Sequence, residues 1–120
     1  MGEPTYRKLI AWQKAHDNAL KIIELVEKID FKYSRIVVQC TSSATSVGAN
    51  IAEGNAVSSI NKKRSYFEIA LSSSYELDNW LQILKDSKSI GADKDALRVI
   101  EEQNIEVIKI LSKLLHNLNS

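Results

Sequence analysis

Two glutamates and one histidine are the residues of this sequence that best suit acid–base chemistry. Glu53, Glu76 and His16 could work as a paired acid and base if the fold gathered them in a closed pocket, and an enzyme of that kind is one interpretation. The sequence itself shows no matched acid and base, so it predicts no catalytic residue. The Glu-x-x-His spacing of carboxylate-bridged metal sites is also missing, because Gln13 stands three residues before His16. We therefore expect no metal, no cofactor and no small-molecule substrate.

The single cysteine, Cys40, and the serine run Ser72–Ser74 are the other candidate nucleophiles. Neither has a histidine near it in sequence that could act as a base. Cys40 is therefore predicted to be a small, buried, apolar residue. One cysteine also excludes an intrachain disulfide, and this favours a reducing, cytoplasmic location.

Polar residues of the second and third helices suggest a structural role instead. Asn50 and Glu53 lie one turn apart near the end of the second predicted helix, and Glu76 lies on the third. We expect these three side chains to form a polar cluster with a basic partner, which fixes the register between the two helices. Because breaking a buried charge network costs roughly 3–5 kcal/mol, Glu53→Ala is then expected to lower thermal stability.

A short basic cluster is the candidate for binding nucleic acid. Lys62, Lys63 and Arg64 are followed by Tyr66, and such a group can grip a single-stranded backbone and stack a base. The alternative is a solvated helix start. Sixteen basic and fifteen acidic residues leave a net charge of +1, so any attraction to RNA would be local, although repetition of the cluster in an oligomer would strengthen it.

One proline and four glycines leave long stretches without helix breakers, which predicts an all-α protein. The predicted helices of this single domain, 1–120, span residues 6–29, 33–53, 60–90 and 93–118. Short connections make neighbouring helices antiparallel, as in an up-and-down four-helix bundle. Gly54 and Gly91 are predicted to end the second and third helices, while Ser58 or Ser59 and Asp93 cap the third and fourth.

The first and fourth helices carry more apolar residues than one core face requires. The predicted core face of the first helix consists of Leu9, Trp12, His16, Ala19, Ile23 and Val26. Further apolar residues lie outside the predicted core faces, and a helix with this pattern is buried on more than one side. We therefore predict a homo-oligomer whose interface includes Ile22, Ile108 and Leu115. A wide but ordinary core face is the alternative.

The sequence shows no sign of a membrane segment. No apolar run approaches the ~20 residues that a membrane helix needs. The first residues, Met1–Thr5, lack the basic start and apolar run of a signal peptide. We expect a soluble protein without membrane contact.

A combination of short motifs, which extends over nearly the whole chain, resembles one known family. The motifs are Trp12–Ala15 (Trp-Gln-Lys-Ala), Gln39, Ser46, Asn50–Gly54 (Asn-Ile-Ala-Glu-Gly), Ile69-Ala70, Ser73 and Glu76-Leu77. Each is weak alone, but their order and spacing resemble the four-helix-bundle proteins encoded in intervening sequences of bacterial 23S ribosomal RNA genes.

The resemblance implies a left-handed antiparallel bundle that assembles into a ring, a homopentamer. It implies no established activity. The family is associated with ribosomal RNA genes by gene location, and it is similar in structure to the RNA-binding accessory protein of diversity-generating retroelements. The expected role is therefore a non-enzymatic, ring-forming scaffold or binding module, associated with RNA or with a nucleic-acid-processing partner. A genuine RNA-binding protein is the alternative.

This chain departs from the family pattern at four positions. Members commonly carry an arginine pair where this sequence has Thr41 and Ser42, and a Gly-Arg where it has Ala56 and Val57. Features expected of a basic surface are thus missing. Binding of RNA would then depend on the basic cluster at the start of the third helix.

Overall fold

Four long α-helices form the architecture of residues 2–119, which a computed structural model describes. They are α1 (Ile10–Val26), α2 (Ser34–Ala56), α3 (Ile60–Asp86) and α4 (Lys94–Asn119), with single 3-10 turns at Thr5–Lys8 and Phe31–Tyr33. Each helix packs against two others, in the cyclic order α1, α2, α3, α4. Neighbours are antiparallel, so the prediction of an all-α, up-and-down four-helix bundle is confirmed.

The first and third helices are shorter than predicted. The first predicted helix is interrupted at Leu9, whose backbone is extended, and α1 ends at Val26 rather than at residue 29. The third ends at Asp86, because the next residue, Ser87, is also extended and its hydroxyl accepts a hydrogen bond from the Ile90 amide. These interruptions depend on local hydrogen bonds that periodicity does not reveal.

The predicted caps of α3 and α4 are confirmed. The Ser59 hydroxyl accepts a hydrogen bond from the Lys62 amide at 3.3 Å. The Asp93 carboxylate accepts hydrogen bonds from the amides of Asp95 and Ala96 at 3.0 and 3.1 Å. These bonds satisfy amides that have no partner in the first turn of a helix.

The core runs along the bundle axis as two clusters of buried side chains. The period of the sequence predicts a core face of α3 made of Phe67, Ala70, Ser74, Leu77, Leu81 and Leu84, and all six residues are buried. The predicted face of α1 is wrong, since its buried residues are Ala11, Ala15, Asn18, Ile22 and Leu25. Two adjacent stripes of mainly apolar residues run along this helix. Packing against α2 and α4 buries the stripe whose residues each lie one position before a residue of the predicted stripe, as Ile22 lies before Ile23.

Gly54 does not end the second helix, as the sequence predicted, but lies buried within it. A Cβ atom at this position would lie 2.7 Å from Cε1 of Phe67 on α3 and 3.2 Å from Cβ of Tyr66. Glycine is therefore required because two helices approach closely, not because the backbone turns.

Candidate functional site

The structure does not bring the three candidate catalytic residues together. His16 is exposed on α1 and stacks on Trp12, with ring centroids 4.6 Å apart and planes 14° from parallel. Glu76 lies on the α2–α3 side, where it accepts a hydrogen bond from Ser43, and Glu53 is exposed on α2. The core position predicted for His16 is therefore wrong. In residues 2–119 no three histidine, cysteine or acidic side chains are grouped so as to hold a metal ion.

Cys40 is a core residue of α2, as predicted. Its side chain is fully buried, and burial raises the pKa of the thiol to about 11. The thiolate is the nucleophilic form of cysteine. This side chain therefore acts as packing between α2 and its neighbours at neutral pH.

The polar contacts between α2 and α3 exclude one member of the predicted cluster. The Ser43 hydroxyl donates to Glu76 at 2.9 Å, and the Asn50 amide donates to Ser46, whose hydroxyl bonds that of Ser73 at 2.9 Å. Glu53 is exposed and takes no part in these bonds. The predicted cluster is corrected accordingly: Asn50 and Glu76 belong to two separate hydrogen-bonded groups between α2 and α3, and Glu53 belongs to neither.

We therefore expect Glu53→Ala to leave the melting temperature nearly unchanged. Surface substitutions away from caps and networks usually change stability by less than about 0.5 kcal/mol. The matched variant is Asn50→Ala on the same helix, which removes hydrogen bonds of a half-buried amide and is expected to cost about 1 kcal/mol. Thermal and urea unfolding followed by circular dichroism would measure both. A larger loss for Glu53→Ala than for Asn50→Ala would contradict the assignment.

Two buried asparagines bind neighbouring helices to one another. Asn104 of α4 donates to the Ser74 carbonyl of α3 at 2.9 Å. Asn18 of α1 donates to the Ile100 carbonyl of α4 at 3.0 Å and accepts from Gln103 at 2.8 Å. The period of the fourth helix places Asn104 on its predicted core face with Ile100 and Val107, whereas Asn18 lies off the predicted face of the first helix, because the wrong stripe was assigned to the core there. Both bonds fix helix register, since an unpaired buried amide is costly.

Two cations of the basic cluster are held by the chain itself. The Lys63 ammonium donates to the Gly54 carbonyl at 2.7 Å and lies 5.7 Å from the Phe67 ring centroid. The Arg64 guanidinium donates to Asn119 and to Asn61, at 2.7 and 2.9 Å.

Lys63 thus satisfies a carbonyl near the C-terminus of α2, where a cation is favoured by the helix dipole. Lys62 is exposed, while Tyr66 is half-buried beside Gly54. The structural contacts of Lys63 and Arg64 leave less of the cluster available to a nucleic acid than the sequence suggested.

The predicted interface residues require a further correction. Ile22 and Leu115 are 1% and 9% exposed within the single chain, so neither can offer a surface to a second subunit. Ile108 is half-buried, and its place in an interface stays a prediction. The exposed large apolar residues of α1 and α4 are instead Ile10, Leu20, Ile23, Val99 and Ile105.

The α1–α4 flank, defined as the outer side on which these two helices meet, is polar at its centre. Lys14 pairs with Glu106 at 2.6 Å, and Gln103 donates to Asp17 at 2.8 Å. The neighbouring Lys21 ammonium and the Gln103 amide hold the pKa of Asp17 below its usual value. These contacts fix the register of the two antiparallel helices.

Apolar side chains lie at both ends of that polar centre. The register places Ile10 level with Ile110 at one end, and Val99 lies at the other end. Ile10 and Val99 are 61% and 44% exposed, while Leu20, which is 50% exposed, lies on the outer face of α1, since it is two residues from both buried Asn18 and buried Ile22. The flank therefore offers two apolar patches separated by paired charges.

A cleft of about 710 Å³ opens at the Val99 end of this flank. Its apolar lining consists of Leu25, Ile29, Ile90, Ala92, Ala96, Val99 and Ile100. The charged groups at its rim are Lys21, Glu24, Glu27, Lys28 and Asp93. Clefts of this size with an apolar floor and a charged rim can accept an apolar group from another molecule.

The α1–α2 flank, on the opposite side of α1, is lined by small residues and aromatic rings. The Trp12 indole lies over Gly48, where a Cβ would be 3.4 Å from Nε1. A groove there is lined by Trp12, Ala15, His16, Ala19, Ala44, Thr45, Gly48 and Ala49. Ile23 lies two turns after His16, and Val38 lies two turns before Thr45, at 40% and 59% exposure.

The fold and these surfaces define the chain as an all-α four-helix bundle with apolar side chains exposed on both flanks of one helix. Among residues 2–119, no helix combines the length and the apolar character needed to cross a membrane. The family model described as 23S rRNA-intervening sequence protein matches residues 7–113. The chain therefore belongs to this family, as the motif resemblance predicted.

A similar solved structure supports the fold. It is a protein with unknown function from the S23 ribosomal protein family of Bacteroides thetaiotaomicron, 25% identical to this chain, with a TM-score of 0.77. The match covers 88% of this chain and 98% of the other. A comparison with curated proteins found no significant match.

Proposed function

We propose that this protein works as a closed homo-oligomer, a non-enzymatic scaffold or binding module whose subunits meet through the two flanks of α1. The observation that carries the proposal is the set of large apolar side chains exposed on those flanks. The set consists of Ile10 and Val99 on the α1–α4 flank, Ile23 and Val38 on the α1–α2 flank, and Leu20 on the outer face of α1 between the two flanks. Groups of exposed large apolar side chains rimmed by polar residues mark interaction sites.

Two different flanks favour a head-to-tail assembly over a two-fold pair. A head-to-tail contact joins one patch on a subunit to a different patch on the next, and it forms a ring where the rotation closes. The two flanks lie on opposite sides of α1, so each subunit can contact two neighbours. Burial of one Leu or Val side chain contributes roughly 1.5–3 kcal/mol, and several such residues per contact would support a stable assembly.

Membership of the family supports the same assembly, because a pentameric ring is what the motif resemblance implies. The family description refers to intervening sequences of ribosomal RNA genes, so an RNA or an RNA-processing protein is a reasonable partner class to propose. The basic cluster supports it less than the sequence suggested, since Lys63 and Arg64 have partners within the chain.

The test is the mass of the protein in solution, measured by light scattering at micromolar concentration. We expect the wild type to have several times the 13.5 kDa mass of one chain. Leu20→Glu is expected to shift it to the mass of a monomer, because an exposed carboxylate costs little in a free subunit but much in an apolar interface.

The matched control is Ile69→Glu, which changes an equally exposed apolar residue, at 47% against 50%, on α3. We expect this variant to keep the wild-type mass. A monomeric wild type would refute the proposal. A monomer formed equally by both variants would show that the flanks of α1 are not the interface.

A further inference from the structure

The connection between α1 and α2 presents the most exposed large apolar side chain of the described residues. Phe31 is 88% exposed at the first position of the single-turn helix Phe31–Tyr33. The Asp30 carboxylate accepts a hydrogen bond from the Lys32 amide at 2.9 Å, and the Asp30 carbonyl accepts one from the Tyr33 amide at 3.0 Å. The aromatic ring is thus held outward by a capped turn.

The cleft on the α1–α4 flank lies at the same end of the bundle. Its wall includes Ile29, two residues before Phe31, yet the cleft opens between α1 and α4 and not towards α2. Phe31 is not among the residues that line the cleft, so its ring does not fill the recess of its own chain. A single chain therefore presents both an apolar projection and an unfilled apolar recess at the same end of the bundle.

We infer that Phe31 of one subunit occupies the cleft of the next subunit, an inference that rests on the proposed homo-oligomer and names its central contact. A phenyl side chain buries about 150–250 Å² and suits a recess of this size, whose floor is Leu25, Ile90 and Ile100. Large aromatic anchors in desolvated pockets carry most of the binding energy of typical interfaces. The occupant is a second copy because the chain itself supplies both parts.

The charges around the two parts are complementary. Lys32 and Arg35 are exposed next to Phe31, and the one acid beside them, Asp30, caps its own turn. The cleft rim carries the carboxylates of Glu24 and Glu27, and that of Asp93, which caps α4.

Of the two rim ammonium groups, those of Lys21 and Lys28, the first is paired with Asp17 at 2.7 Å. The rim is therefore acidic overall, and the surface around Phe31 is basic. Such complementarity fixes the orientation of the partner and speeds association.

The first arm of the test compares Phe31→Ala with Tyr75→Ala, measured by light scattering over a dilution series. Tyr75 is an exposed aromatic residue on α3, at 59%, and serves as the control. We expect Phe31→Ala to need at least about tenfold more protein for half-assembly than the wild type, as for loss of an interface anchor. Tyr75→Ala is expected to assemble like the wild type.

The second arm tests whether Phe31 of one copy enters the cleft of another copy. Ala96→Trp fills the cleft from α4 and keeps Phe31, whereas Phe31→Ala keeps the cleft. We expect each variant alone to be largely monomeric and an equimolar mixture to form a pair, because one Phe31 then faces one open cleft. Should Ala96→Trp lose its helical circular dichroism, Val99→Glu at the mouth of the cleft replaces it.

The outcomes separate the two proposals. A monomeric wild type overturns both the homo-oligomer and the contact. An oligomeric wild type with Phe31→Ala assembling like Tyr75→Ala overturns the Phe31 contact alone. Weakened assembly of Phe31→Ala together with recovery in the mixture establishes the contact. Weakened assembly without recovery in the mixture overturns the cleft as the site that receives Phe31.

Discussion

Replacement of Ile22 by glutamate is expected to unfold the domain, although the sequence alone placed Ile22 in an interface between subunits. Ile22 is 1% exposed in the core cluster with Leu77, Leu81 and Ile100. Removal of a large aliphatic side chain from such a site costs about 2–5 kcal/mol, and an unpaired buried carboxylate adds several more. The total is comparable with the 5–15 kcal/mol stability of a typical domain.

Leu20→Glu is the matched control, because it adds the same charge two residues earlier on the same helix at 50% exposure. We expect Leu20→Glu to keep the wild-type helical circular dichroism and a cooperative urea transition. Ile22→Glu is expected to lose both the helical circular dichroism and the cooperative urea transition at neutral pH. If Ile22→Glu unfolds at the same urea concentration as Leu20→Glu, Ile22 does not lie in the core described above.

The second large effect is expected at Gly54. An added methyl group would lie 2.7 and 2.8 Å from two ring carbons of Phe67, and that ring is only 4% exposed. Because the ring cannot move into solvent without opening the contact between α2 and α3, we expect Gly54→Ala to lower the free energy of unfolding. The loss should be about 1–3 kcal/mol, since the gain in helix propensity, about 1 kcal/mol at most, offsets only part of the strain.

Gly48→Ala on the same helix provides the comparison. Its added methyl group would lie 3.4 Å from Nε1 of Trp12, an ordinary contact, and the Trp12 side chain is only half-buried. We expect this variant to be as stable as the wild type or more stable by up to about 1 kcal/mol. Urea unfolding measures both free energies. Equal effects of the two substitutions would show that Gly54 is not a point of close helix contact.

Local sequence signals predicted the helices and several of their ends. Asp93 and Ser59 cap α4 and α3 as predicted, because a cap depends on a side chain and the amides two or three residues after it. The core face of α3 was also predictable, since Phe67, Ala70, Leu77, Leu81 and Leu84 recur at helical spacing. The family was recognisable from short motifs at characteristic spacing, such as Asn50–Gly54.

Contacts between distant parts of the chain decided the rest. The first helix has two neighbouring apolar stripes, and only packing against α2 and α4 determined that Ile22 is buried while Ile23 remains 40% exposed. Lys63 was predicted as part of a nucleic-acid site, but its partner is the Gly54 carbonyl on another helix.

The sequence predicted surplus apolar residues on α1 and α4, but it assigned Ile22 and Leu115, which are buried, to the exposed surface. Surplus apolar character is a property of composition along each helix, so the sequence by itself determined that α1 and α4 have more apolar residues than one core face holds. Which of them reach the surface depends on the rotation of each helix about its axis, and packing of all four helices sets that rotation. The tertiary structure alone therefore separated Leu20 and Val99, which are exposed, from Ile22 and Leu115, which are buried.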